Sequence, residues 1–144
     1  MKTVRHILHT KGRAVWSVAP DTTVYEALQL MAEKNVGALL VLEAEKVAGI
    51  FSERDYARKV ALKGKSSKDT PVREIMTSKV VYVRPDQTIE ECMALMTDKH
   101  IRHLPVLEDN QLVGIISIGD VVKAIISQQE FIIEQLESYI RGTR

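Results

Sequence analysis

The chain is written twice over a long stretch. Displacing the sequence by 65 positions lays Ser17–Val60 on Tyr82–Ile125 without a gap, and 16 of the 44 aligned pairs are identical. The identities fall on turn and capping residues as well as apolar ones: Pro20/Pro85, Asp21/Asp86, Thr23/Thr88, Glu26/Glu91, Gly49/Gly114, Ser52/Ser117 and Asp55/Asp120. Self-similarity at a fixed period is one supersecondary unit made twice, each copy covering the apolar face of the other. Such a pair has a pseudo-twofold axis, so a ligand cleft in one copy implies a second in the other.

With 144 residues, 45% of them hydrophobic, the chain is long enough to bury one substantial core without metals or disulfides. Cys92 is its single cysteine and cannot form an intrachain bridge, which suits a reducing compartment. No apolar run approaches the roughly 20 residues of a membrane-spanning helix. Met1–Thr10 also lacks the apolar centre of a secretion signal. The expectation is a soluble, cytoplasmic protein with no membrane partner. Formal net charge is +1 and the basic residues are scattered, so no broad electrostatic footprint for nucleic acid is expected.

Each repeat opens with Pro-Asp-x-Thr followed by apolar residues at helical spacing, Val24, Ala27, Leu28 and Met31 in one and Ile89, Cys92, Met93 and Met96 in the other. Thr23 and Thr88 with Glu26 and Glu91 predict capping boxes. Two short apolar runs per repeat then predict a hairpin: Ala38–Leu42 with Val47–Phe51, and Leu104–Leu107 with Leu112–Ser117. Pro105 cannot donate to a ladder and belongs at a strand start or edge. A further helix follows each hairpin. The polar segment Lys63–Thr70 reads as a flexible linker, and Pro71–Met76 as a helical turn entering a strand at Val80–Val83. The last helix runs from about Gly119 to Arg141, and its apolar stripe continues past Gln128, where the first repeat has no counterpart. That stripe either packs back on its own chain or forms a subunit interface; the second reading is favoured.

The repeated Gly-h-x-Ser-x-x-Asp, at Gly49–Asp55 and Gly114–Asp120, is the most informative motif. Ser and Asp stand where a strand passes into a helix, whose free amides and dipole favour a phosphate. An acidic side chain there can accept both hydroxyls of a ribose. The same residues also serve simply as helix caps.

This motif, with Val36–Val41 and Ile101–Val106, resembles the cystathionine-β-synthase (CBS) domain, and the tandem resembles a Bateman module over about Lys11–Ser127. The resemblance implies an α+β fold of α/β type: two β-α-β-β-α repeats packed sheet to sheet with pseudo-twofold symmetry, plus here a long C-terminal helix. The implied division is residues 1–65, 66–128 with the linker, and the extension 129–144. The resemblance implies a regulatory sensor that binds adenine nucleotides in clefts between its repeats and often forms a homodimer.

Carried over residue by residue, the ribose carboxylates are Asp55 and Asp120, and the hydroxyl residues Ser52 and Ser117. The adenine-lining strand starts are Gly37, Ala38 and Leu39 in one copy and Arg102, His103, Leu104 and Pro105 in the other. The entering segments, around Lys11–Trp16 and Thr77–Val81, contribute Trp16, Thr77 and Val81, and Arg54, Lys79, Arg102 and His103 are the phosphate-holding cations. AMP is the first candidate ligand, with ADP, ATP or an NAD-type dinucleotide as alternatives. No metal is implied.

The clefts are expected to be unequal, because Gly37-Ala38 is replaced by Arg102-His103. Among the remaining residues, Trp16 reads more readily as core than as a purine platform. His100 and His103 point apart rather than forming a metal pair. No nucleophile has a base and an orienting partner, so no enzyme is expected. The alternative to a sensor is a structural or interaction protein with vestigial clefts, acting through its dimer and C-terminal helix. A client protein is implied but not identified.

Overall fold

The structure is a computed structural model and describes residues 2–142. It is a mixed α+β fold with two small sheets and a long C-terminal helix, and it divides into two compact units. One unit is 15–80. The other joins 2–14 to 81–142, so the segment leading into each repeat is grouped with the other repeat.

In the unit 15–80, β1 (Ser17–Val18) leads to α2 (Val24–Lys34), the hairpin β2 (Ala38–Glu43) and β3 (Lys46–Ser52), and then α3 (Glu53–Asp55). α3 widens at once into a π-helical stretch, Tyr56–Ala61. β1 pairs parallel with β2, which pairs antiparallel with β3. Val24, Ala27 and Met31 of α2 pack on Leu39, Val41 and Phe51 to form the core.

The supposed linker is ordered. Val24 and Tyr25 donate their amides to the carbonyls of Thr70 and Ser67 (2.8 and 2.9 Å), so the segment caps α2. Thr70 is buried and donates its hydroxyl to the Ser66 carbonyl. Polar composition marked a segment whose polar groups serve a helix end, not a mobile one.

In the other unit, α1 (Val4–Lys11) packs with α4 (Ile89–Lys99), the hairpin β4 (His103–Glu108) and β5 (Gln111–Ser117), and α5 (Ile118–Arg141). The lead-in again caps the repeat's first helix, here through Ile89 donating its amide to the Lys2 carbonyl (3.1 Å). Cys92 lies in this core, and burial, reinforced by the neighbouring Glu91 charge, pushes its thiol up to about 11.

The strand expected at Val80–Val83 shrinks to one parallel bridge, Val83 with Val106. Val83 donates to the Pro105 carbonyl and Leu107 donates to the Val83 carbonyl (3.0 and 2.9 Å). The next bond is missing for a chemical reason. In the first repeat Leu40 donates its amide to the Trp16 carbonyl (3.2 Å). Leu40 aligns with Pro105, which has no N–H to give.

The capping box closes fully at Thr88: Thr88 donates its amide to Glu91 Oε1, and Glu91 donates its amide to Thr88 Oγ1, both at 3.1 Å. At Thr23 only the forward half forms, and the Glu26 carboxylate takes the Thr23 hydroxyl instead of its amide.

The repeated glycines are required by close approach. A Cβ on Gly49 would lie 2.7 Å from Met76 Sδ and 2.8 Å from the Thr77 carbonyl oxygen, and one on Gly114 would lie 2.6 Å from Leu8 Cδ2. Each lead-in therefore crosses the second hairpin strand at its glycine.

α5 is tied to its unit as far as Gln128, whose side-chain oxygen accepts from the Lys2 amide and whose amide nitrogen donates to Glu90 Oε2, both at 3.2 Å. Beyond that, Phe131, Ile132, Ile133, Leu136, Tyr139 and Ile140 are exposed, the last two at 80%. No described helix is long and apolar enough to cross a membrane.

Candidate functional site

Both Ser-x-x-Asp segments form complete capping boxes. Ser52 and Ser117 donate their amides to Asp55 Oδ2 and Asp120 Oδ2 (2.9 and 2.8 Å), and Asp55 and Asp120 return their amides to the serine hydroxyls (3.2 Å each). The strand starts lock onto the same helix ends. Glu53 donates its amide to the Gly37 carbonyl (3.1 Å), and Ile118 donates to the Arg102 carbonyl (2.8 Å). Ala38 pairs with Ser52 across one hairpin, and His103 with Ser117 across the other. The fold thus gathers Gly37, Ala38, Ser52 and Asp55 in one unit, and Arg102, His103, Ser117 and Asp120 in the other.

The surroundings of the two carboxylates differ. In the unit 15–80, Asp55 is buried, with 8% of its side chain exposed. Besides the Ser52 amide, it accepts the Ser52 hydroxyl on Oδ2 (3.0 Å), and the Thr77 hydroxyl and Lys59 ammonium on Oδ1 (3.2 and 3.0 Å). Lys59 also donates to the Ile75 carbonyl (3.1 Å). Thr77 is held by a reciprocal backbone pair with Ile50, at 2.9 and 3.0 Å.

In the other unit, 19% of the Asp120 side chain is exposed, and Lys11 Nζ lies 2.7 Å from its Oδ2. The same ammonium donates to the Ile115 carbonyl (3.0 Å). Lys11 was expected only within an entering segment; sequence alone gave no sign of its partner, since Lys11 lies 109 residues from Asp120. Burial pushes the Asp120 carboxyl up, but the Lys11 hydrogen bond, the Ser117 amide and the Lys11 charge outweigh it and hold the group below its ordinary value. His103 is shifted down, first by burial and then by the Lys11 and Arg102 charges, against an opposing pull from Asp120. Lys11, Arg102, His103 and Asp120 therefore share one electrostatic environment.

Of the remaining candidates, Leu39 and Leu104 are fully buried in the two cores, so only their backbone could meet a ligand. Pro105 is buried, and Val81 packs against the second core. Arg54, Lys79 and Arg102 are exposed. Trp16 is not core: it is 40% exposed, with Lys34 Nζ 4.3 Å from its ring centroid. The Lys34 ammonium lies over the ring that was expected to be core. His100 is the left-handed C-cap of α4. Among the described residues no group of three or more His, Cys, Asp or Glu could hold a metal ion.

An open groove of about 620 Å³ lies at the far end of β4, lined by Arg5, Tyr82, Arg84, Asp86, Glu108 and Asn110 among others. None of the motif residues reaches it. Within it Arg5 pairs with Glu108 at 3.1 Å and Arg84 with Asp86 at 3.2 Å.

Comparison with known proteins agrees with this arrangement. The family model for the CBS domain matches residues 4–62 and 72–127. A mitochondrial CBS-domain-containing protein of Arabidopsis thaliana, CBSX3, is 41% identical over 150 residues, covering 97% of this chain and 72% of that protein. A solved structure from Burkholderia ambifaria, named for signal transduction and for its CBS domains, is 55% identical with a TM-score of 0.87, covering 89% of this chain and 96% of its own. The CBS domain pair of protein MJ0100, solved with 5′-methylthioadenosine and S-adenosyl-L-methionine, shares the fold at 22% identity with a TM-score of 0.77, covering 89% and 98% of the two chains. Two family matches, on the two copies of one internal repeat, make this chain a tandem-domain member of the CBS family.

Proposed function

We propose that this protein is a non-catalytic regulatory sensor that binds an adenine nucleotide at Asp120, AMP first and ADP, ATP or an NAD-type dinucleotide as alternatives. One observation carries the reading: Asp120 Oδ2 is engaged by Ser117 and Lys11, while among the described residues Oδ1 has no hydrogen-bond partner within the protein. A carboxylate held in place by a helix cap and a lysine, with one oxygen open, is an acceptor suited to a ribose diol. The charges of Lys11 and Arg102 reach His103, which supports these three, His103 when protonated, as the cations for a phosphate. The ligands of the solved MJ0100 pair both carry an adenosyl group, which is the ligand class proposed.

The signal passes through assembly. The apolar stripe of α5 beyond Gln128 supports a homodimer whose stability differs between the free and loaded states, because a ligand shifts an equilibrium only through differential affinity. A client protein would read that difference. Titration calorimetry with AMP, ADP, ATP and NADH tests the binding step: saturable binding that weakens in Asp120→Asn supports it, and flat heats for all four reject it. Incubation with ATP and magnesium tests the non-catalytic reading, which turnover beyond one product per chain would reject.

A further inference from the structure

Accepting that nucleotide reading, we infer that each chain holds one nucleoside phosphate, at Asp120, and that the Asp55 half is a closed structural copy of the site. An ionised carboxylate has about four acceptor positions. Asp55 has all four taken: the Ser52 amide and hydroxyl on Oδ2, and the Thr77 hydroxyl and Lys59 ammonium on Oδ1. A ribose diol at Asp55 must therefore displace donors from a buried carboxylate, and those donors are tethered elsewhere. Lys59 is held by the Ile75 carbonyl and Thr77 by its backbone pair with Ile50.

The repeat register shows why the other half stays open. Thr77 aligns with Gly12 and Lys59 with Ala124, so two of the four donors are absent from the Asp120 half. Met76 aligns with Lys11, which supplies one cation back from the lead-in. Lys11, held between Asp120 and the Ile115 carbonyl and 32% exposed, leaves its charge beside the open oxygen, where an arriving phosphate can pair with it. In the Asp120 half Lys11 and Arg102 outnumber Asp120 by one, which favours an anionic nucleotide over a neutral nucleoside.

The test is calorimetric titration of the full chain with AMP and with adenosine, on wild type, Asp120→Asn and Asp55→Asn. The expected result is one AMP per chain and adenosine weaker than AMP. Loss of a hydrogen bond to a charged group makes Asp120→Asn weaker by about tenfold or more, while Asp55→Asn stays within about twofold of wild type. Amide NMR shifts of Gly37 and Ala38 against Arg102 and His103 locate the ligand in the wild-type chain, whatever happens to the folding of Asp55→Asn. Two AMP per chain, or AMP shifts at Gly37 and Ala38, overturn the single-site inference while leaving the nucleotide reading standing. Adenosine bound as tightly as AMP overturns the phosphate selectivity. No AMP bound by wild type, with ADP, ATP and NADH equally silent, overturns the nucleotide reading itself.

Discussion

The two motif carboxylates are expected to fail in opposite ways when truncated, and the stability half of that contrast can be worked from their partners. Asp55→Ala removes the returning half of a capping box, which is worth about 1 kcal/mol. It also strips the Thr77 and Ser52 hydroxyls of a charged acceptor in a buried site, at about 1.5–3 kcal/mol. The Lys59 ammonium adds little, because its side chain is 44% exposed and it keeps the Ile75 carbonyl and water as partners. The sum is about 3 kcal/mol. Asp120→Ala loses the same half-box, about 1 kcal/mol, and a partly exposed ion pair to Lys11 worth about 0–1 kcal/mol. A gap of about 2 kcal/mol should separate the variants. Urea unfolding followed by far-ultraviolet circular dichroism reads it as a lower midpoint at unchanged slope for Asp55→Ala. Equal destabilisation, within about 0.5 kcal/mol on the usual scatter of independent substitutions, would refute the claim that the same four-residue motif is structural in one repeat and open in the other.

Four further outcomes follow from the same structure. Gly49→Ala drives a Cβ into the Thr77 carbonyl as well as Met76, whereas Gly114→Ala meets only the end of the Leu8 side chain; overpacking should cost about 2–3 kcal/mol in the first and about 1 kcal/mol in the second, measured by thermal melts. Burial first, then the Lys11 and Arg102 charges, push His103 below its ordinary value of 6.5, so as pH falls through 6.5 the unfolded chain takes up more proton at this residue than the folded chain does. Stability should then fall, and His103→Gln should flatten that segment of a pH–stability curve. AMP, by contrast, should bind more tightly in the same window, because a phosphate near His103 favours its charged form, and a pH-independent affinity would count against the phosphate placement. Finally, the pair Ile132→Glu and Leu136→Glu should convert a dimer to a monomer in light scattering while leaving the circular dichroism spectrum unchanged; a wild type that is already monomeric would remove α5 as the interface.

What could be read in the sequence was what both repeats need to fold. Thr88 with Glu91, Ser52 with Asp55, and Ser117 with Asp120 are local pairs three residues apart, and each forms the cap its spacing predicts. The hairpins and their register are likewise local. The misses lie where a residue's partner is distant. Trp16 read as core because an aromatic before a strand usually is, and nothing in the sequence put Lys34 over its ring. Lys63–Thr70 read as a linker because its composition is polar, and only the tertiary structure shows Ser67 and Thr70 capping α2. Pro105 was recognised as a residue unable to donate, but the strand that loses a bond through it is Val80–Val83, more than 20 residues away.

The duplication itself explains why the motif alone could not show which carboxylate keeps acceptor capacity. Selection on a cap keeps Ser and Asp in both copies, because each helix start must satisfy its own orphan amides regardless of function. Whether the carboxylate then has acceptor capacity to spare depends on three other positions: Lys59/Ala124, Thr77/Gly12 and Met76/Lys11. None of these lies in the motif, and two of the three lie in lead-in segments that approach the carboxylate only in the folded chain. In one half the cation comes from the helix that follows the motif and joins a threonine in closing the carboxylate off. In the other it comes from the lead-in and leaves an oxygen open. Moving one cation between elements therefore lets identical capping chemistry yield one filled carboxylate and one vacant acceptor. A gene duplication can in this way keep its fold in both halves while leaving spare acceptor capacity in only one.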